Sequence, residues 1–122
     1  MFVGTDIVEV ERIKHAIVRL DMAFMQRIFT EAEIVKIDAK NPDYERASGF
    51  WAAKESIVKA TGLGFRNGIR FHDAEISHDE FGAPCFLLQG RLKEIIHEKG
   101  LSKISLSISH CRTHAIAVTI LS

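Results

Sequence analysis

The stretch from Asn41 to Gly62 constrains this chain most. It opens on Asn41-Pro42, an asparagine cap followed by proline at the first helical position. It closes on Gly62, a favoured residue just past a helix end. Everything between reads as one long helix running to Thr61. Phe50, Ala53, Ile57 and Ala60 fall on a single stripe and are expected to be its buried face. Trp51, Glu55 and Lys59 recur at i, i+4 and i+8 on a neighbouring face, stacked one above the other.

The remaining segments supply shorter elements. Phe2 to Val10 is apolar and β-rich and reads as a strand, and Glu11 to Leu20 follows with helical spacing of Ile13, Ala16, Ile17 and Leu20. Ala23 to Phe29 is a short apolar segment. Thr30 and Glu33 form a capping box that starts a helix reaching about Ala39. After a glycine-rich loop from Gly62 to Gly68, Ala74–His78 and Pro84–Leu88 flank the turn Asp79–Gly82 as a hairpin. Gly90 to Lys99 is amphipathic and ends at Gly100. Lys103 to Ser109 alternates strictly, with Ile104, Leu106 and Ile108 on one face and Ser105, Ser107 and Ser109 on the other. A turn through His110–His114 leads to the last strand, Ala115–Leu121. Antiparallel hairpins mixed with packed helices define an α+β class.

The length of 122 residues suits one domain, residues 1–122. Lys plus Arg and Asp plus Glu both number 16, and a neutral chain lacks the basic surplus of a general nucleic-acid binder. The N-terminal segment carries acids and no basic run, unlike a signal peptide. Lys54 and Glu55 interrupt the apolar run Phe50–Ala60, so no membrane span is expected. Cys85 and Cys111 lack CxxC spacing and read as strand residues, which fits reduced thiols in a cytosolic core and a cytoplasmic location.

Three places carry possible chemistry. Asp6 interrupts an apolar strand, where a buried carboxylate needs a cation or donors. It reads either as a cap for the next helix or as a ligand for a hard cation. Glu55 and Lys59 read as an i, i+4 surface pair or, beside small residues and a glycine loop, as parts of a metal–phosphate site. Ser107-Ile108-Ser109-His110 ends a strand in a hydroxyl and an imidazole, which suits phosphate or simply a polar turn. Histidine spacing offers no zinc site, and no Gly-x-Ser-x-Gly elbow presents a nucleophile.

Taken in order, Gly4-Thr5-Asp6-Ile7-Val8-Glu9-Val10-Glu11-Arg12-Ile13, Trp51-Ala52-Ala53-Lys54-Glu55-Ser56-Ile57-Val58-Lys59-Ala60 and Ser107-Ile108-Ser109-His110 form a recognisable set. The chain resembles the holo-[acyl-carrier-protein] synthases, the small 4′-phosphopantetheinyl transferases. The match extends to the Phe81-Gly82-Ala83-Pro84 turn and the closing Ala115-Ile116-Ala117-Val118 strand. The resemblance implies the phosphopantetheinyl transferase fold, with an antiparallel sheet packed on a long central helix and shorter helices. It implies transfer of 4′-phosphopantetheine from coenzyme A to a serine of apo-acyl carrier protein, releasing adenosine 3′,5′-bisphosphate. It also implies a homotrimer with active sites between subunits.

Carried over position by position, the resemblance makes Asp6 and Glu55 ligands of Mg²⁺, and Glu55 and Lys59 the catalytic pair. Lys59, Gly62, Pro84, Ser109 and His110 become coenzyme A contacts, with His110 at the 3′-phosphate of the neighbouring subunit's substrate. Arg12 and Arg19 become the carrier-docking residues. By strand period Val8 points the same way as Asp6 and adds no oxygen. Glu55, a metal-bound water or another acid remain open as acceptor of the serine proton. Phe50 stands where the family usually has arginine, just before the helix aromatic. The docking helix is less basic than usual, with Arg12, Lys14, Arg19 and Arg27 interleaved with Glu9, Glu11 and Asp21. A catalytically silent trimeric interaction module and a metal-dependent nucleotide hydrolase are the rival functions. The first binds no coenzyme A in response to Mg²⁺; the second cleaves it without a carrier.

Overall fold

The computed structural model describes residues Met1–Ser122. Strand β1 (Phe2–Glu9) is followed by helices α1 (Val10–Leu20), α2 (Met22–Ile28), α3 (Glu31–Ile37) and α4 (Tyr44–Ala60). A single 3-10 turn over Phe71–Asp73 leads to β2 (Ala74–His78), β3 (Pro84–Leu88), α5 (Gly90–Glu98), β4 (Ile104–His110) and β5 (His114–Leu121). β1, β5 and β4 form one antiparallel sheet in that order, and β2 with β3 forms a separate hairpin. The α+β class is as expected. No helix is long and apolar enough to cross a membrane.

The sheet has two unlike faces because side chains alternate along each strand. Gly4, Asp6 and Val8 of β1 face inward with Ala115, Ala117, Thr119 and Leu121 of β5, and α4 packs across them. The outward face carries Val3 and Ile7 of β1, 62% and 65% exposed, beside Ile116, Val118 and Ile120. Ser105, Ser107 and Ser109 continue that face onto β4, as their alternation implied.

Helix α4 is enclosed far more completely than one stripe would require. From Ala47 to Ala60 every residue is buried except Trp51, Glu55 and Lys59. A helix covered on nearly all sides is central rather than amphipathic. Its remaining opening is the i, i+4, i+8 row that the sequence set apart. Aromatic contacts hold the upper end of that row: Trp51 stacks between Phe24 of α2 and Phe71, at centroid distances of 6.2 and 5.2 Å. Phe65 of the glycine-rich loop stacks on Phe71 at 3.9 Å, folding the loop back onto the helix.

Burial also claims Lys54. Its Nζ, with no exposed side-chain surface, donates to Glu33 Oε1 at 2.9 Å, Phe71 O at 3.0 Å and Ala74 O at 2.8 Å. Glu33 in turn accepts from the backbone N–H groups of Thr30 at 2.8 Å and Ile76 at 2.7 Å. The ion pair thus ties α3 and α4 to the start of β2 and leaves no ammonium proton unused. Glu33 completes the expected capping box while reaching inward.

Three sequence expectations need correction. Helix α4 is capped not by Asn41-Pro42 but by Asp43, whose side chain accepts from Arg46 N at 3.0 Å. The chain turns at Asp38, with φ 73°, and Asp43 N bonds Ile37 O at 2.9 Å, so residues 38–42 form a tight link instead of a helical turn. α3 accordingly ends at Ile37, and Ala23–Phe29 is largely helical, as α2. Cys111 is exposed just past β4, not in the core, and Cys85 is half-buried in β3.

Candidate active site

β1 approaches α4 closely enough to put its one acid onto the open row, and Gly4 allows it. A Cβ at Gly4 would run into the Ser56 carbonyl oxygen and lie 2.5 Å from Ala60 N. Both are backbone atoms of a buried helix, so the collision has no cheap relief. Two residues further along the same face, Asp6 meets the helix at its exposed stripe. Gly4→Ala is expected to cost about 3 kcal/mol or more and to lower turnover as the strand lifts. Urea unfolding with a parallel rate measurement checks both.

Lys59 Nζ lies 2.8 Å from Asp6 Oδ1, with the lysine half-exposed and the carboxylate largely covered. Glu55, one turn before Lys59, has its carboxyl pushed above the usual range, chiefly by burial and then by the negative charge of Asp6. Lys59 and Arg12 oppose that shift, which places the first basic residue of α1 within electrostatic reach of the site. Two acids and two bases therefore converge where β1, α1 and α4 meet. Gly62 follows immediately, at φ 79° with its N–H on Lys59 O at 3.0 Å, and bends the chain away from Lys59.

This donor set discriminates among metals. No group of three or more His, Cys, Asp or Glu gathers anywhere in the chain, so a protein-only metal cage has no ligands. Two adjacent carboxylates, one of them destabilised by the other's charge, match the oxygen-poor sites of Mg²⁺ that leave positions for water and phosphate. Val8 is buried and contributes no oxygen, as the strand period required.

The other expected coenzyme A contacts sit elsewhere. Pro84 and His110 line a cleft of about 240 Å³ together with Asp43, Arg46, Gly49, Phe50, His78 and Ile108. Arg46 and Glu55 are nine residues apart on α4, about 180° around the helix and roughly 13 Å along it. The cleft and the Asp6–Glu55–Lys59 cluster therefore lie on opposite sides of the central helix. Ser109 joins neither, since it lies on the outward sheet face beside Ile116. Arg12 and Arg19, seven residues apart, share one exposed face of α1.

Sequence reasoning missed Arg46, His78 and Glu45. Glu45 Oε1 is 2.9 Å from His110 Nδ1 and fixes that ring. Arg46 was findable in principle, lying four residues before Phe50 on the same helix face. Glu45 and His78 had no local signal, because their partners are 65 and 42 residues away.

Comparison with known proteins identifies the family. The family model described as the 4′-phosphopantetheinyl transferase superfamily matches residues 2–119. A holo-[acyl-carrier-protein] synthase of Thermoanaerobacter sp. (strain X514) is 48% identical over 120 residues, covering 98% of this chain and 86% of that protein. The holo-[acyl-carrier-protein] synthase crystal structure from Neisseria meningitidis superposes with a TM-score of 0.89 at 31% identity, covering 99% and 97% of the two chains. That of Helicobacter pylori, in complex with coenzyme A, gives 0.85 at 34% identity over 98% and 99%.

Proposed function

The chain belongs to the 4′-phosphopantetheinyl transferase superfamily, as an enzyme of the holo-[acyl-carrier-protein] synthase type, and from that premise we propose a specific reaction. It transfers 4′-phosphopantetheine from coenzyme A to a serine of an apo-acyl carrier protein, with Mg²⁺, and releases adenosine 3′,5′-bisphosphate. One observation carries the reading: Asp6, Glu55 and Lys59 converge on the open row of a helix that is otherwise buried from Ala47 to Ala60.

The serine oxygen forms a bond to the β-phosphorus, and the bond from that phosphorus to the bridging oxygen breaks. The serine gives up its proton and the bisphosphate departs with the bridging oxygen. Asp6 and Glu55 would hold Mg²⁺, whose charge, when bound, offsets that on the diphosphate oxygens. Lys59 is half-exposed and held by one ion pair, so it can turn from Asp6 to the departing bisphosphate. Water-filled surroundings would weaken that charge pairing, and the enclosed base of the site limits it.

Because the half-site with His110 lies across α4, a neighbouring chain completes the site in a homotrimer. The outward apolar face of Val3, Ile7 and Ile116 gives such neighbours a surface to cover.

Arg12 stands at the mouth of the site and Arg19 extends the same basic face, which suits an acidic carrier. Charge complementarity acts mainly on association rate. Raising salt from about 0.1 M to about 1 M shortens screening from about 10 Å to about 3 Å. The rate at sub-saturating carrier is expected to fall several-fold, with kcat unchanged; a salt-independent rate would remove Arg12 and Arg19 from docking.

The reaction itself is tested by intact mass. Coenzyme A, Mg²⁺ and apo-carrier should yield carrier bearing phosphopantetheine. Cleavage of coenzyme A without carrier would indicate a hydrolase, and no reaction with unaltered coenzyme A would defeat the reading.

A further inference from the structure

Helix α4 meets the sheet across a surface whose shape fixes little. Ala52 and Ala53 of the helix share one buried cluster with Ala115 and Ala117 of β5, and Ala60 lies against Gly4 of β1. Alanine and glycine offer no long side chains to interlock, and apolar contact has no preferred direction. Such a surface holds the helix on the sheet without setting where along it the helix stands. The spacing of Asp6 and Glu55 depends on that position, because one acid belongs to the sheet and the other to the helix.

Three polar side-chain links join α4 to the sheet. Glu45 with His110 lies near the start of the helix, on partly exposed side chains, and about 15 Å along the axis from Glu55. Lys59 with Asp6 lies at the site itself, and this pair opens when Lys59 turns to the departing bisphosphate. The third link is sealed. Ser56 Oγ and Thr119 Oγ1 are 2.6 Å apart, and both residues are 0% exposed. Ser56 Oγ donates to Ala53 O at 2.8 Å, which leaves Thr119 as the donor between the two hydroxyls. A slide of α4 that parted them would strand a buried hydroxyl, at a cost that apolar contact does not impose.

The link stands where that control is needed. Ser56 directly follows Glu55 in α4. Thr119 pairs in register with Gly4, two residues along β1 from Asp6. Gly4 in turn lets β1 close onto the Ser56 carbonyl oxygen. One helical residue thus receives both strands, β1 on its backbone and β5 on its side chain.

We infer that Ser56 and Thr119 are positioning residues for the transfer reaction: their buried hydroxyl pair fixes α4 along the sheet and keeps Glu55 level with Asp6 while Lys59 is engaged with substrate. The inference rests on the metal reading above. Both hydroxyls are closed off from the open row and act only through the spacing of the two carboxylates. A site that grips an ion needs its ligands held to within about 0.5 Å by such supports.

Thr119→Val tests this, because valine keeps the shape, removes one hydroxyl and leaves Ser56 bonded to Ala53 O. Coenzyme A is titrated calorimetrically, with Mg²⁺ and with chelator, into the wild-type protein, Thr119→Val and Thr119→Ser. In Thr119→Val the gain in affinity that Mg²⁺ brings is expected to fall about 10-fold. Affinity in chelator should be unchanged, and the melting temperature within a few degrees of wild type. Thr119→Ser keeps the donor and should keep the gain. The double variant Ser56→Ala/Thr119→Val removes both hydroxyls and strands neither, so it should melt near wild type and show the same reduced gain. A full Mg²⁺ gain in Thr119→Val or in the double variant would overturn the inference. So would an equal loss of affinity with and without the ion, or a Thr119→Ser that behaves like Thr119→Val. Wild-type protein whose affinity ignores Mg²⁺ would instead defeat the metal reading beneath it.

Discussion

Glu55→Gln is expected to lower kcat/KM by about 10²- to 10⁴-fold, the loss of several kcal/mol of charge stabilisation, and yet to stabilise the metal-free protein. The second half follows from the raised carboxyl. Folding holds the Glu55 proton more tightly than the unfolded chain does, whose reference value is 4.5. The native state thus binds more protons as pH rises from that value to the raised one, and stability falls across the window. Above it the full penalty applies, so glutamine relieves it near pH 7. Below about pH 4.5, where glutamic acid is already neutral, the two proteins should unfold alike. Thermal melts with chelator at pH 4 and pH 7 check the sign. A variant destabilised at neutral pH would mean that Lys59 and Arg12 outweigh burial and Asp6. Sites assembled for chemistry commonly carry such local instability.

Lys54→Met should do the opposite: destabilise strongly without touching the chemistry. The substitution preserves volume but strands Glu33 as a buried, unpaired carboxylate and frees the Phe71 and Ala74 carbonyls. Breaking a buried pair from one side costs about 3–5 kcal/mol. A small domain has only about 5–15 kcal/mol in total, so the variant should unfold at a much lower urea midpoint. At low temperature, where it remains folded, KM for coenzyme A should be close to wild type. An unchanged urea midpoint would show that the pair contributes nothing to the fold.

Lys54 and Glu55 illustrate what the chain reveals and what it withholds. Helical period alone assigned Trp51, Glu55 and Lys59 to one face, and that face is the one left open. Alternation likewise separated the serines of β4 from its isoleucines and directed Val8 inward. Period does not say how many sides of a helix are covered, so Lys54 read only as a charge interrupting the apolar run and is a sealed core residue. Its partner Glu33 is distant in the chain, and only tertiary packing brings them together. The cap at Asp43 escaped for a related reason: Asn41-Pro42 is a good local start, but the link from Ile37 to Asp43 requires those residues for a turn. Gly4 was visible as a letter of the motif, while its reason, backbone contact with Ser56 and Ala60, needs the helix in place. The residues around His110 belong to four elements, α4, β2, β3 and β4, and no single window of sequence contains them.

The central claim is that Asp6 on β1 and Glu55 on α4 hold one divalent cation against the diphosphate of coenzyme A. Calorimetric titration of coenzyme A, with Mg²⁺ and with chelator, into the wild-type protein and Asp6→Asn addresses it most directly. Mg²⁺ should tighten binding to the wild-type protein and make no difference to the variant. Equal affinity with and without Mg²⁺ in the wild-type protein, or an undiminished Mg²⁺ effect in Asp6→Asn, would contradict it.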